Sequence, residues 1–141
     1  MKISFGGQKR EKVQIDILRY ERQPIGEHYD DNWLSVELSV LAGGFFGKAD
    51  PAILTDELVY FLPQLKLTDQ TLKGSAEFTT IEEQLRLVLT TDGRGHVELE
   101  GELSDEPGVG NKLRFSLEFD QTQLSDSIAQ LEKAISVFPV R

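Results

Sequence analysis

The stretch TTDGRGHVELEGEL, residues 90–103, joins a glycine-rich segment to a strictly alternating one. Asp92, Gly93 and Gly95 are typical of a tight turn, in which glycine supplies positive φ where the next strand begins. The residues that follow alternate between apolar and ionisable side chains, which is the period of a strand with one buried face. The apolar positions are Val97, Leu99 and Leu103, and the ionisable positions are His96, Glu98, Glu100 and Glu102. The stretch therefore predicts a β-hairpin with one apolar and one polar face.

Other alternating segments lie before and after this hairpin, separated by joins rich in turn residues. Such closely spaced strands are antiparallel neighbours, because a parallel return needs a long crossover. The segments are KVQIDILRY (12–20), WLSVELSV (33–40), an irregular strand over 45–52, SAEFT (75–79), QLRLVLT (84–90) and KLRFSLEF (112–119). We expect one antiparallel sheet of about six or seven strands.

Two helices complete the predicted fold. Thr55 is typical of an N-cap, and apolar residues follow it at helical spacing, so a short helix is expected near residues 55–66. Pro63 should kink or end that helix, because it lacks a backbone donor. Near the C-terminus, Asp120 and Gln123 form a capping-box pattern ahead of an apolar stripe, and Pro139 ends the helix. The stripe consists of Leu124, Ile128, Leu131 and Ile135. The prediction is an α+β fold in which this C-terminal helix packs on one face of the sheet.

Length and charge limit the classes of function. A chain of 141 residues is most simply a single domain over residues 1–141. The net charge of −9 is uneven, because residues 67–141 carry 7 basic and 14 acidic side chains. Such a chain repels nucleic acid and favours a cationic partner. There is no cysteine and no long apolar run, so we expect a cytoplasmic protein that does not enter a membrane.

The row from His96 to Glu102 is open to two interpretations: a solvated polar face or an acidic surface for partner recognition. Catalysis and metal binding are disfavoured, because both need groups that converge rather than groups in line along one strand. The loop HYDDN (28–32), with Asp30 and Asp31, is a second candidate for partner contact and a weak metal candidate. Trp33 lies on the outward face of its strand, where an aromatic side chain is typical of an interface unless loop 21–32 covers it. We assign no catalytic residues, no metal ligands and no cofactor.

Several short motifs resemble the WapI family of bacterial immunity proteins. They are DDNWLSVELSV, LTDELVYFLPQL, DGRGHVELEGEL and NKLRFSLEFDQTQL, with Asn32-Trp33-Leu34, Gly95-His96 and Asp120-Gln121-Thr122 as the matching positions. The resemblance covers about residues 30–138, and Gln123 and Pro63 depart from it. It implies an antitoxin that binds the C-terminal domain of a cell-wall-associated or contact-delivered toxin, a cationic nuclease being one candidate. An immunity protein of this kind needs no catalytic residues.

Three hypotheses follow. The first is a cytosolic immunity protein, monomeric or homodimeric, that neutralises its cognate toxin domain by stoichiometric binding. The second is a module that binds a small ligand or regulates another protein, which predicts an apolar pocket with a few convergent polar groups. The third is a hydrolase that uses His96 or His28 with nearby carboxylates. The predicted partner-binding residues are Asp30, Asp31, Trp33, His96, Glu98, Glu100 and Glu102.

Overall fold

Within residues 1–7 and 10–141, which the computed structural model describes, nine strands form two antiparallel sheets. The first sheet has the order β1-β2-β3-β4, and β5 also pairs with β3. Its strands are β1 (Lys2–Phe5), β2 (Glu11–Tyr20), β3 (Trp33–Ala42), β4 (Phe45–Ala49) and β5 (Ala52–Leu54). The second sheet is a meander of β6 (Ser75–Thr79), β7 (Leu85–Thr91), β8 (His96–Ser104) and β9 (Lys112–Asp120). The α+β class is confirmed, but the strands divide between two sheets instead of one.

The two sheets face each other across a single core. Their inner faces carry the alternating apolar side chains, from Val13, Ile15 and Ile17 in β2 to Leu117 in β9, all nearly inaccessible to solvent. The sheets approach closely at one corner, where Gly47 of β4 lies under β9. A Cβ at Gly47 would stand 2.8 Å from Leu113 Cδ2, so a larger residue there would require the Leu113 side chain to shift.

In the part of the chain that the structure describes, three helices connect and cover the sheets: α1 (His28–Asp31), α2 (Thr55–Thr71) and α3 (Thr122–Val137). The C-terminal helix is confirmed, and it packs on β1 and α2 more than on the second sheet. The prediction that α2 stops near residue 66 or kinks at Pro63 is wrong about its end, since the helix runs through to Thr71. Pro63 is on the exposed side of α2, where its ring meets solvent.

Both predicted caps are wrong in detail. Leu54, not Thr55, occupies the N-cap position of α2, and its N–H donates to Glu57 Oε2 at 2.8 Å. The Thr55 hydroxyl donates instead to the carbonyl of Asn32, which ties the helix to β3. Helix α3 begins at Thr122, whose N–H donates to Asp120 Oδ1 at 2.9 Å. Gln123 does not complete a capping box, and its buried Oε1 has no partner within the described residues.

The two long helices also cover a sheet edge each. Gln64 of α2 accepts the N–H of Glu77 on β6 at 3.1 Å, and Gln130 of α3 accepts the N–H of Ser4 on β1 at 2.7 Å. Ser127 of α3 donates its hydroxyl to the Ser4 carbonyl. Unpaired groups of an edge strand attract other strands, so these side chains close two of the edges.

Candidate functional site

The glycine-rich stretch forms the tight turn between β7 and β8. Gly93 and Gly95 have φ of 76° and 97°, as the turn requires. Asp92 Oδ1 accepts the N–H groups of Arg94 at 2.7 Å and of His96 at 3.1 Å. These bonds from Arg94 and His96 hold the pKa of Asp92 below its usual value. The hairpin prediction is confirmed.

His96, Glu98, Glu100 and Glu102 point away from the core, as the alternation predicts. Val97, Leu99 and Leu103 on the same strand are buried. The His96 ring is 73% exposed, and its Nδ1 lies 3.2 Å from Asp92 Oδ2. The four ionisable groups follow the strand without converging, and within residues 1–7 and 10–141 no group of side chains is suited to hold a metal ion.

The outer face of the second sheet has one end in which the charges are paired. Glu102 contacts both Arg114 and Lys112, at 3.0 and 3.2 Å. The hydrogen bond from Lys112, together with Arg114, holds the pKa of Glu102 below its usual value. Farther across the face, Arg86 contacts Glu77 at 3.0 Å. This paired end leaves little net charge for a partner.

The other end of the same face carries unpaired carboxylates, and we call Glu98, Glu100 and Glu118 the acidic end. Glu98 lies directly opposite Glu118 in the β8–β9 register, while Glu100 lies opposite Val88 and Ser116. Within the described residues, no Lys, Arg or His nitrogen lies within salt-bridge distance of these three carboxylates. Like charges directly opposite each other destabilise a sheet, roughly by up to 1 kcal/mol. An external cation would remove that cost.

A groove of about 580 Å³ lies on this face beside the paired end and reaches Glu100 of the acidic end. It is lined by Arg86, Glu100, Gly101, Glu102, Arg114, Phe115 and Ser116. Charged side chains dominate the lining, and the groove is open to solvent. Small-molecule sites are typically concave and mostly apolar, so this groove is better suited to a protein surface than to a small ligand.

Asp30 and Asp31, both predicted to bind a partner, lie in different environments of loop 21–32. The Asp31 side chain is only 4% exposed and accepts the N–H groups of Ile25, Gly26 and Glu27 at 2.8–2.9 Å. These hydrogen bonds, of which that from Ile25 has the largest effect, lower the pKa of Asp31. Asp30 is 59% exposed and contacts Arg22 at 3.4 Å. Asp31 therefore shapes the loop, and Asp30 alone is on the surface.

The same loop is fixed from behind by Arg141. Its Nη2 donates to the carbonyls of Arg22 at 2.8 Å and Asp31 at 2.6 Å. The guanidinium carbon lies 3.6 Å from the centroid of the Tyr20 ring, in a cation–π arrangement. Asn32, which is fully buried, accepts the Arg141 N–H at 2.7 Å. Hydrogen bonds from Arg141 thus hold the loop against the rest of the fold.

Trp33 is half-buried and lies on the opposite face of β3 from Leu34. It lines a groove of about 430 Å³ at the end of the two sheets, together with carboxylates from loops that adjoin strands of both sheets. These are Glu21, Asp50, Glu82 and Asp105. The structure therefore does not bring Trp33 together with the acidic end, which lies elsewhere on the second sheet.

Sequence reasoning missed Glu118 as the partner of Glu98, and it missed Phe45 and Phe46. These two phenylalanines are 70% and 67% exposed at the tip of the β3–β4 hairpin. The signal for Glu118 was present, since the alternation already places it on the outer face. Its position opposite Glu98 depends on the register that the loop 105–111 imposes, and alternation does not give that register.

The comparison with known families agrees with the resemblance found in the sequence. The family model described as the immunity protein WapI-like family matches residues 4–139. The chain belongs to this family of immunity proteins, and the match begins well before residue 30, where the resemblance in the sequence began. No curated protein matches the chain. Among the described residues, no helix has the length and apolar character needed to cross a membrane.

Proposed function

We propose that this protein is a cytoplasmic immunity protein that neutralises the C-terminal domain of a cell-wall-associated or contact-delivered toxin by binding it without catalysis. Membership of the immunity-protein family supports the general role. The observation that carries the binding mode is the acidic end, where Glu98 and Glu118 face each other without a cation among the described residues. Such a surface complements a cationic partner, and a cationic nuclease domain is the candidate we favour.

The physical argument concerns complementarity and preorganisation. The three carboxylates stand on adjacent strands of a packed sheet, so a partner orders only their side chains and not the backbone that carries them. Lysine or arginine side chains of the toxin would relieve the repulsion between Glu98 and Glu118 and gain charge-assisted hydrogen bonds. A nuclease that binds phosphates through the same cations would then be blocked, because the carboxylates occupy its substrate site. The exposed row, with His96 beside it, supplies the rim of the contact.

The experiment measures the dissociation constant between this protein and the C-terminal domain of the toxin encoded beside its gene. The variant Glu98→Gln/Glu100→Gln/Glu118→Gln is expected to weaken binding about tenfold or more, because three complementary charges are lost. The matched control, Glu27→Gln/Glu106→Gln/Asp126→Asn, removes the same charge from exposed positions elsewhere and should bind like the unmodified protein. Binding by the unmodified protein should weaken as salt rises.

Two results would contradict the proposal at different levels. If the toxin domain does not bind even at low salt, the assignment to this toxin fails. If it binds equally well to the acidic-end variant and the control, the immunity role stands but the interface lies elsewhere. Asp30 and the groove of Trp33 would then be the next surfaces to vary.

A further inference from the structure

Along β9, at one edge of the second sheet, most outward backbone groups have no hydrogen-bond partner within residues 1–7 and 10–141, the Glu118 N–H being bonded to Glu11. The backbone hydrogen bonds just before and just after β9 show that its odd-numbered residues bond toward β8. The Gln121 N–H donates to the Gly95 carbonyl at 2.8 Å, and the Asp105 N–H donates to the Asn111 carbonyl at 3.1 Å. In an antiparallel pair this direction alternates along the strand, so the even-numbered residues of β9 point their N–H and C=O groups away from β8. Glu118 agrees, because its N–H reaches outward to Glu11 Oε2 at 3.4 Å.

The backbone groups of Arg114 and Ser116 have no hydrogen-bond partner on this side within residues 1–7 and 10–141. The edges at β1 and β6 are closed by side chains of α3 and α2. The edge formed by β4 and β5 is broken at Pro51, which cannot donate. An edge left open in this way is suited to accept another strand.

The outward side chains of β9 indicate which strand fits. In order they are Lys112, Arg114, Ser116, Glu118 and Asp120, all exposed. Positive charges precede Ser116 and negative charges follow it at equal spacing, so the strand is complementary to an antiparallel copy of itself. We propose that β9 pairs with β9 of a second copy of this chain, with Ser116 on the two-fold axis. The two second sheets then form one continuous sheet of eight strands.

In this register, Arg114 lies opposite Glu118 of the partner subunit, and Lys112 lies opposite Asp120 of the partner subunit. A register shifted by two residues in either direction keeps the hydrogen-bond parity but loses half of these charge pairs. Arg114 can serve both contacts, because only its Nε is bonded to Glu102 and its side chain is 83% exposed. Each hydrogen-bonded pair along the edges exchanges two backbone bonds.

Two further features favour this pairing. Glu118 faces Glu98 in its own sheet, and a guanidinium from the second copy would neutralise that repulsion. Phe45 stands beside the open edge, in a groove of about 300 Å³ shared with Glu11, Ala42 and Ser116. A strand added to β9 would cover part of this exposed aromatic surface.

The first test is the mass of the full chain in solution over a range of concentrations, measured by sedimentation. We expect a dimer that dissociates on dilution. Ser116→Pro removes one outward N–H while leaving the β8–β9 ladder intact, so it should raise the dissociation constant at least about tenfold. Circular dichroism and thermal unfolding confirm that each variant remains folded.

The second test reverses and then restores the charges. Arg114→Glu should weaken the dimer, since it places like charges opposite Glu118 of the partner subunit. Adding Glu118→Arg to the same chain restores complementarity across the axis, so the double variant should dimerise like the unmodified protein. A general loss of charge or of stability would not be rescued in this way.

The third test uses the absence of cysteine from the chain. In the proposed register the two Ser116 Cα atoms are about 5.5 Å apart, within the range of a disulfide. Ser116→Cys, oxidised with diamide, should give a covalent dimer, whereas Ser75→Cys on β6 should not. A monomer at every concentration up to the millimolar range overturns the proposal, and so does a dimer that neither Ser116→Pro nor Arg114→Glu weakens. Because Glu118 takes part in both proposals, toxin binding is also measured with Ser116→Pro, which leaves the three carboxylates unchanged, so either proposal can fail without the other.

Discussion

At the scale of single residues, identical side chains in one motif have different roles. Asp30 and Asp31 are neighbours in the sequence, but only Asp31 is turned inward, where three backbone N–H groups surround its carboxylate. A buried carboxylate is stable only when its lone pairs are satisfied in this way. Asp31 is therefore a structural residue within a motif that also looked like a partner or metal site.

We predict that Asp31→Asn lowers the melting temperature clearly more than Asp30→Asn does. The amide can accept on one side only, and its NH₂ group would face backbone N–H donors. Asp30 is exposed, and among the described residues its carboxylate forms an ion pair with Arg22 alone, so it is the matched control. Thermal unfolding at neutral pH measures both. Equal effects of the two substitutions would mean that the bonds to Ile25, Gly26 and Glu27 add no stability.

The same carboxylate should make stability depend on pH. Its pKa is lowered in the fold, so its contribution is fully present above the ordinary value of about 3.9 and is lost as pH falls through the lower folded value. The difference in melting temperature between the unmodified protein and Asp31→Asn should therefore narrow in strongly acidic solution. A difference that stays constant down to the lowest pH would contradict this mechanism.

At the scale of elements, β8 and β9 depend on one close contact. Gly101 faces inward opposite Phe115, and the aromatic ring lies over it. A Cβ at Gly101 would stand 2.2 Å from Phe115 Cζ, which is far inside contact distance. The glycine therefore makes room for the ring, and the ring fills the space that a side chain would otherwise occupy.

We predict that Gly101→Ala lowers the free energy of unfolding by about 1–3 kcal/mol, because the ring must leave its position. Phe115→Leu should cost stability by itself but rescue part of the loss in the double variant, as expected for residues in contact. Gly44→Ala is the control, since a Cβ there meets no atom within 4 Å. Urea unfolding measures all four variants, and strict additivity of the first two would show that the ring is not the obstacle.

The elements that alternation predicts are the ones in which one face is buried along the whole length. The hairpin, β9 and α3 belong to this group. The alternation also gives directly the face of β8 on which each residue lies. β1 has only 4 residues, too few for a period to be visible, and nothing local indicates that β2 and β3 form a separate sheet. The cap of α2 was misplaced because the Thr55 hydroxyl bonds to Asn32, which only the tertiary fold brings near. At α3 the Asp120 carboxylate does bond locally, to the Thr122 N–H, but the N-cap position itself is one residue later, at Gln121.

In the candidate site too, the features that alternation determines could be predicted, and those that the tertiary fold determines could not. The outward row from His96 to Glu102 could be predicted, because it depends on parity alone. The pairing of each carboxylate could not be predicted from alternation. Glu102 meets Arg114, and Glu98 meets Glu118, only in the register that the β8–β9 loop sets. The burial of Asp31 also escaped prediction, because the backbone groups that surround it belong to an irregular loop.

At the scale of the whole molecule, the net charge of −9 is not spread evenly. The exposed carboxylates of the acidic end lie on the second sheet, whereas the positive and negative side chains on the strands of the first sheet nearly offset one another. Lys2, Lys12 and Lys48 belong to that first sheet, together with Asp16 and Glu37. The second sheet thus presents unpaired negative charge at one end, while the strands of the first sheet are nearly neutral.

This division gives the molecule a permanent electric dipole, which should orient it while it diffuses toward a basic partner. Fields of this kind raise the association rate constant and act over a Debye length of about 10 Å at 0.1 M salt. In stopped-flow measurements with the toxin domain, added salt should slow association steeply and leave dissociation almost unchanged. Substituting Glu98, Glu100 and Glu118 by glutamine should flatten that ionic-strength dependence. The toxin would then be captured on its first encounters, before it finds its target in the cell.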